Sequence, residues 1–466
     1  DRQQRRRQSS LASGAANKER PLSYSERIKD AYRRLNEADQ LRKSGKLSAA
    51  IQKFDRLIEE FPDYSAALHM LGLAHMAKQN YWAAVSCFMR AAMLNPDDWA
   101  ILGSLAQAYW GLGANEMAAH TLERARAIKD DDPEIDYTLG LIYERQKEYE
   151  LAAIALRRAV AEKDDNPLAH YALGSCLVHL GDLPDAATAF GRCHELRRDW
   201  LQPVSSTAQL PEGLARFNVS SALEAASGDK SEDAETIGIR VAFTKAFLLH
   251  KDGRYDDAWS ELETANKPLA KRYAQSAANR VNMRKAAVDI AKGLKPANPL
   301  PANDPQMPLS LFILGTSRSG KTTLERIVGS MHGVKRGYEN PIVDHAVRGT
   351  SQSAGLLTIN SLIGLPDFLD QRFAGAYRDD LLRRAAEAKV FTNTNPGRID
   401  EVGRLITTAP NMRFVFIKRD RADTALRIYM KHYREDSNVY AYEMEHVFAE
   451  IDWYHRLIDI WQSRFP

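Results

Sequence analysis

From residue 31 to 201, apolar residues fall three and four apart in blocks of helical length, and the blocks repeat every 34 residues. Residues 65–98 carry Leu71-Gly72, then Ala84, Phe88, Ala91 and Pro96; residues 167–200 carry Leu173-Gly174, Ala186 and Phe190 at equivalent places. Residues 133–166 repeat the theme with Leu139-Gly140, Tyr143, Ala152, Leu156 and Ala159, and residues 99–132 with Leu105, Tyr109, Ala118, Leu122 and Ala125. Residues 31–64 show Ala50, Phe54, Leu57 and Pro62. Each block predicts two helices joined at a turn such as Lys78-Gln79-Asn80 or Gly181-Asp182. The period fails over 202–236, where Gln202–Thr207 and Ser227–Asp233 read as loops. Helical spacing returns over Ile237–Lys271 and runs to about Leu294; within it, Gly253–Trp259 looks like the turn and second helix of one more repeat. Proline-dense residues 296–305 then predict a stiff extended linker. Beyond it, short apolar runs alternate with helical segments: strands at Leu311–Leu314, Val390-Phe391 and Phe414–Ile417, and helices at Leu324–Ser330 and Ala422–Tyr433. That alternation predicts a parallel sheet.

The 34-residue units resemble tetratricopeptide repeats (TPR). One such unit cannot bury its apolar face alone, whereas stacked neighbours can. The resemblance implies a right-handed superhelix whose groove binds a peptide or protein partner, or positions a neighbouring domain. The expected fold class is α + α/β: an N-terminal TPR α-solenoid followed by a P-loop-like α/β domain. The expected divisions are a disordered tail at 1–24, the array at 25–201, an irregular segment with a further repeat at 202–295, the linker at 296–309 and the α/β domain at 310–466.

Composition changes this picture little. A chain of 466 residues exceeds a single core. The net charge of +3 is too small to argue for nucleic acid, and Arg2 and Arg5–Arg7 read as part of a disordered tail. No stretch of 18 apolar residues is present, so no membrane span is expected. Cys87, Cys176 and Cys193 lie in helical patterns without disulfide or zinc spacing, which suits a reducing, cytoplasmic setting. The chain starts at Asp1 rather than Met and reads as a trimmed piece.

The candidate chemistry lies between the Leu311–Leu314 strand and the helix that follows. The segment Gly315-Thr316-Ser317-Arg318-Ser319-Gly320-Lys321-Thr322-Thr323 forms a glycine-bearing loop between strand and helix. Backbone N–H groups and the helix dipole there suit a phosphate. Gly315 and Gly320 allow close approach, and Arg318 and Lys321 supply charge-assisted hydrogen bonds worth about 1.5–3 kcal/mol each. The spacing fits a nucleoside-triphosphatase P-loop, and Arg318–Thr322 also resembles the 5′-phosphosulfate loop of sulfotransferases. Arg419, at the carboxyl end of the Phe414–Ile417 strand, falls where open α/β sheets bind ligands.

Taken together, the chain resembles the bacterial TPR-fused sulfotransferases. The family's loop, G-x-P-R-S-G-T-T/S-L-x-E-Q-I, stands here as Gly315–Ile327. His332, Val334 and Glu339-Asn340-Pro341 follow where the family has S-H-P-x-V and G-E-x-P. Asn393–Pro396, Val402–Ile406 and Pro410–Phe414 align with its D-K-x-P, L-G-x-I and next turn; Arg419-Asp420, Asp423, Leu426-Arg427 and Tyr429 align with R-D-P-x-D-x-x-L-S-x-Y. Tyr440-Ala441-Tyr442 and Trp461-x4-Pro466 continue the likeness, which covers most of residues 31–466.

The resemblance implies the donor 3′-phosphoadenosine-5′-phosphosulfate (PAPS), with adenosine 3′,5′-bisphosphate as product and no metal required. The Gly315–Thr322 loop would hold the 5′-phosphosulfate, with Arg318 and Thr322 as main contacts, Ser319, Gly320, Lys321 and Thr323 beside them, and Arg318 and Lys321 also acting in catalysis. Arg419 and Arg427 would hold the 3′-phosphate, and Glu339 would be the general base. The acceptor, a hydroxyl or an amine, is not identified. The family's sheet continues past W-x4-P, so the domain reads as truncated at Pro466. Departures are concentrated at the site: Ser317 replaces the loop proline, Lys321 a threonine, Asn393 and Thr394 the aspartate and lysine of D-K-x-P, and Arg427 a serine. Either Lys321 supplies the charge missing at 394, or transfer has been lost or changed.

Two other readings remain open: a P-loop kinase or NTPase built on Gly315–Thr322, with Asp420 the best magnesium-binding acid, and a TPR interaction scaffold carrying a degenerate transferase. His332 and His345 read as surface or structural residues, His432-Tyr433-Arg434 as a helix end, and Trp453, Tyr454 and Trp461 as core.

Overall fold

A computed structural model describes residues 24–226, 228–229, 232–293, 301–356, 359, 361–385, 387–433 and 437–465. The expected N-terminal tail and the first half of the proline-rich linker lie outside those residues. The chain divides into two compact units, Asp1–Ile135 and Asp136–Pro466.

The first unit is built of α1 (Tyr24–Lys43), α2 (Leu47–Glu60), α3 (Ser65–Ala77), α4 (Tyr81–Leu94), α5 (Trp99–Gly111) and α6 (Asn115–Ile128). Small residues decide how closely these helices pair. A Cβ on Gly72 of α3 would stand 2.4 Å from the Phe88 ring of α4. Polar residues punctuate the turns: Asn80 caps α4, and Asp98 accepts from the Ala100 and Ile101 amides to cap α5. Gln79, at φ +58, makes the left-handed turn at the predicted Lys78–Asn80 junction.

The second unit opens with α7 (Pro133–Arg145, shared across the boundary), α8 (Tyr149–Glu162), α9 (Pro167–Leu180) and α10 (Leu183–Leu196). The same rule holds here: a Cβ on Gly140 would meet Leu156 at 2.5 Å, and one on Gly174 would meet Phe190 at 2.5 Å. All three cysteines are buried and free.

Gln202–Thr207, expected as a loop, is helical within α11 (Leu201–Ala208). Pro203 sits in its first turn, where no intrahelical N–H bond is needed. Leu201, Val204 and Ala208 are buried, so tertiary packing stabilises what local pattern left open. Next come α12 (Val219–Ala226), α13 (Ala234–Lys251) and the long α14 (Tyr255–Gly293).

The α/β region contains β1 (Leu309–Leu314), α15 (Lys321–Gly329), β2 (Val334–Lys335), α16 (Ile342–Ser353), α17 (Asp370–Ala385), β3 (Val390–Asn393), α18 (Val402–Thr408), β4 (Met412–Phe416), α19 (Arg421–Tyr429) and α20 (Met444–Arg464). The strands are parallel in the order β2-β3-β1-β4, with Leu309 opposite Val390 and Ser310 opposite Met412. β1 is central and reads as a near-continuous apolar run, as a strand covered on both faces must. Phe312, Phe373, Leu381, Leu457 and Trp461 belong to the core around the sheet, so the aromatic residues of α20 are core, as their spacing predicts. The helix predicted over Ala422–Tyr433 ends earlier, at Tyr429. There the chain turns so that His432 stacks on Phe243 at 5.1 Å and the Tyr433 hydroxyl meets the Ser317 hydroxyl at 2.8 Å.

α14 ties the repeat-like helices to the sheet. Arg280 and Arg284 bind the buried Glu450 at 2.8 and 3.0 Å; Arg284 also binds Asp400 at 2.8 Å and lies over the Trp453 ring at 3.6 Å. The two guanidiniums hold the Glu450 carboxyl below its ordinary range despite its burial. Glu450→Ala leaves two half-buried cations without that partner and should destabilise the protein by about 3–5 kcal/mol, read as a lower urea midpoint for the full chain.

Candidate active site

All four parallel strands end on one side of the sheet, and the loops that leave them form the site. The loop after β1 begins at Gly315, where a Cβ would stand 2.4 Å from Ser319 Oγ and 3.0 Å from the Ile417 carbonyl. Only glycine fits there without displacing its neighbours. Arg318 adopts φ +65 and Gly320 φ +105, a pair of left-handed turns that swing the chain into α15. The result is a cradle at a helix N-terminus. Ser319 Oγ is buried in it with no hydrogen-bond partner.

Lys321 begins α15 and is nearly enclosed, its Nζ donating to the Thr316 carbonyl at 2.9 Å. Burial pushes its ammonium down to about 8; Lys431 and Arg318 push the same way, and Glu339 opposes them. Opposite the loop, Arg419 follows β4, forms an ion pair with Asp423, and reaches the Arg318 carbonyl at 3.4 Å. Arg427 binds the other oxygen of Asp423 at 2.9 Å.

One pocket of about 310 Å³ is lined by Ser317, Arg318, Gly320, Lys321, Thr322, Thr323, Glu339, Arg419, Arg427 and Lys431. The sequence-derived candidates Arg318, Gly320, Lys321, Thr322, Thr323, Glu339, Arg419 and Arg427 therefore converge. Gly315 and Ser319 lie beneath the loop and shape it rather than line the pocket. Glu339 is exposed, on the turn after β2.

Thr394 is buried, and its amide donates to the Tyr338 carbonyl at 2.7 Å, so it supports the turn that carries Glu339 and contributes no charge. Asn393 Nδ2 donates to the Asn340 carbonyl at 2.8 Å. Asp420 caps α19 by accepting from the Asp423 amide at 2.8 Å, which commits one of its oxygens to the helix. His345 Nδ1 lies 3.2 Å from Arg384 Nη2, a structural contact.

Sequence reasoning missed Lys431. It sits just past α19, with its Nζ 4.9 Å from the Tyr433 ring centre, and burial and Arg318 push its ammonium below the usual lysine range. No periodicity marks it, because the end of α19 alone turns it inward. Also missed was Glu325, buried in α15, which accepts from the Tyr338 amide at 2.9 Å and from the Thr392 hydroxyl. Its signal was present: it is the acid just beyond the glycine loop.

Next to this pocket lies a second cavity of about 390 Å³ that shares Arg318, Arg427 and Lys431 with it. Rings of Tyr171, Phe243 and Phe247, the polar groups of Gln202, Ser205 and Thr244, and the charged Arg240 and Asp423 line much of the remainder. The arrangement suits a phosphorylated anion on the cationic side, with a ring-bearing neutral or anionic molecule beside it.

Residues 308–465 match the sulfotransferase family. The tetratricopeptide repeat matches four times, over 35–98, 69–133, 104–167 and 137–193. An uncharacterized protein of Aquifex aeolicus (strain VF5) is 22% identical over 164 residues, 34% of this chain; the match spans only 22% of that relative's length. Among solved structures, MamA from Desulfovibrio magneticus RS-1 is 23% identical, with a TM-score of 0.35 over 36% of this chain and 95% of its own. YrrB, described as a TPR protein with an unusual peptide-binding site, is 16% identical, with a TM-score of 0.35 over 39% of this chain and 96% of its own. Repeats and transferase family thus meet in one polypeptide, and the chain belongs among the TPR–sulfotransferase fusions.

Proposed function

We propose that residues 308–465 transfer a sulfuryl group from PAPS to an acceptor hydroxyl, with the repeats serving as a docking or partner-binding module. The observation that carries this reading is the convergence, in one pocket, of the Gly315–Thr323 cradle, the arginines after β4 and a carboxylate free to take a proton. The buried, unpartnered Ser319 hydroxyl and the two left-handed turns fit an anion seated on the loop. Arg318, Lys321, Thr322 and Thr323 would hold the 5′-phosphosulfate, and Arg419 and Arg427 the 3′-phosphate.

When bound, PAPS supplies the activated sulfuryl group. Glu339 takes the proton of the acceptor hydroxyl as the oxygen–sulfur bond forms. The bond from sulfur to the bridging phosphate oxygen breaks, and adenosine 3′,5′-bisphosphate leaves with the electron pair. Lys321 and Lys431 stabilise the charge that develops on that oxygen, in place of the lysine absent at Thr394. The adjoining cavity receives the acceptor. Its cationic rim repels a protonated amine, which favours hydroxyl acceptors over amines. The three buried thiols suit a reducing compartment, and we place the protein in the cytoplasm.

Calorimetric titration tests the donor assignment: adenosine 3′,5′-bisphosphate should bind and ATP with Mg²⁺ should not. The reverse result would establish the nucleoside-triphosphatase reading instead. Lys321→Met should weaken bisphosphate binding about 10- to 100-fold at pH 7, from the loss of charge-assisted hydrogen bonds worth about 1.5–3 kcal/mol. Because Lys321 titrates near 8, the free wild-type site loses positive charge as pH rises. Bisphosphate affinity should therefore fall between pH 7 and 9, and that slope should flatten in Lys321→Met. Lys431→Met should lower transfer by about 10²–10³-fold in kcat, as the loss of a transition-state charge partner does. Undiminished transfer in both Lys321→Ala and Lys431→Met would sink the idea that they replace the missing lysine.

A further inference from the structure

The turn that carries Glu339 is held by a repeat helix. Tyr338, the residue before it, sits at φ +55, left-handed for a bulky side chain. Such a conformation is unfavourable and persists where surrounding contacts over-determine it. Here every polar group of Tyr338 is engaged. Its amide donates to Glu325, its carbonyl accepts from the Thr394 amide, and its hydroxyl donates to Glu150 Oε1 at 2.6 Å. Glu150 lies in the first turn of α8, within the fourth repeat.

The ring is gripped as well. Tyr149, also at the start of α8, meets the Tyr338 ring edge-on at 4.8 Å, and is itself stacked on His179 at 4.2 Å. The Arg336 guanidinium covers the Tyr338 ring at 4.3 Å and reaches the His179 carbonyl at 3.3 Å. The backbone just before the turn is equally constrained: a Cβ on Gly337 would stand 2.1 Å from the Thr392 carbonyl. A second tie, from Arg384 to Glu148 at 3.0 Å, fastens α17 to the residue that precedes α8.

We propose that Tyr149 and Glu150 of the fourth repeat are positioning residues for the transferase site, holding Tyr338 in its left-handed turn so that Glu339 projects into the phosphate pocket. The proposal rests on the assignment of Glu339 as the base. It also gives this part of the repeat array an intramolecular role: the start of α8 is already occupied by the transferase's own loop. Glu150 lines neither the phosphate pocket nor the adjoining cavity. Its hydrogen bond to the turn is made through the Tyr338 hydroxyl.

The test uses Tyr338→Phe and Glu150→Ala, with Glu150→Gln as the conservative control, since its amide oxygen still accepts from the hydroxyl. Release of adenosine 3′,5′-bisphosphate from PAPS, measured in the full chain with a phenol as acceptor, should fall about 10²-fold in kcat for both disrupting variants, as for a misplacement of about 1 Å. KM for PAPS and calorimetric affinity for the bisphosphate should stay unchanged, and Glu150→Gln should restore turnover. The double variant should be no worse than either single one. Hydrogen exchange of the 336–341 amides should quicken in Tyr338→Phe and Glu150→Ala at unchanged melting temperature, a readout independent of activity.

Unchanged exchange and turnover in both disrupting variants would overturn the proposal, as would a global loss of stability that Glu150→Gln shares. Failure of the bisphosphate to bind the wild type would instead remove the functional reading, while the exchange experiment would still decide whether α8 holds the turn.

Discussion

Five cationic side chains, Arg318, Lys321, Arg419, Arg427 and Lys431, are brought around one pocket where the described lining includes a single carboxylate, Glu339. Burying and crowding them is a cost that folding must offset, and its trace is visible in the lysines, whose ammonium groups are held below their usual range by burial first and by the neighbouring cations second. Only part of the charge is balanced internally, through Asp423 to Arg419 and Arg427. The remainder is balanced best by a multiply charged anion. Much of the second unit can be understood as scaffolding that keeps these groups together: a central buried strand ending in the glycine loop, a parallel neighbour on each side, and a long helix pinned through Glu450.

The same unit joins two kinds of packing that are usually described apart. Repeat helices approach one another where glycine faces an aromatic or leucine side chain, as Gly174 faces Phe190. The sheet region is held by large apolar side chains across parallel strands. The joint between them is polar and aromatic: Glu150 and Tyr149 against Tyr338, Glu148 against Arg384, and Arg336 against the carbonyl end of α9. Contacts of this sort are directional, so they fix an orientation as well as a distance. The turn that carries Glu339 is held in this way.

Several features were legible from residues alone because the information is local. Helix pairs announce themselves by spacing, and the 34-residue period multiplies that signal across successive units. The glycine loop is legible for a similar reason: Gly320 is required by its left-handed backbone and Gly315 chiefly by Ser319 four residues on, although the distant Ile417 carbonyl crowds Gly315 as well. Gln202–Thr207 was misread because its helix is stabilised by buried Leu201, Val204 and Ala208, whose partners lie elsewhere in the chain. The predicted helix over Ala422–Tyr433 overran because its end is set by distant partners, Phe243 for His432 and Ser317 for Tyr433.

By itself, then, the sequence determined the repeat architecture, the parallel α/β region and the glycine loop, which follow from periodicity and short-range sterics, and the family likeness, which rests on short motifs. Tertiary structure alone decided which charges share a pocket. It brought Lys431 into the pocket, left Thr394 a neutral support, made Asp420 a helix cap, and set Tyr338 against Glu150, a residue 188 positions away in the chain. Those outcomes depend on side-chain direction and on contacts between segments remote in sequence. Local propensity cannot encode them, because each is an energy of a pair whose members meet only after the chain has folded.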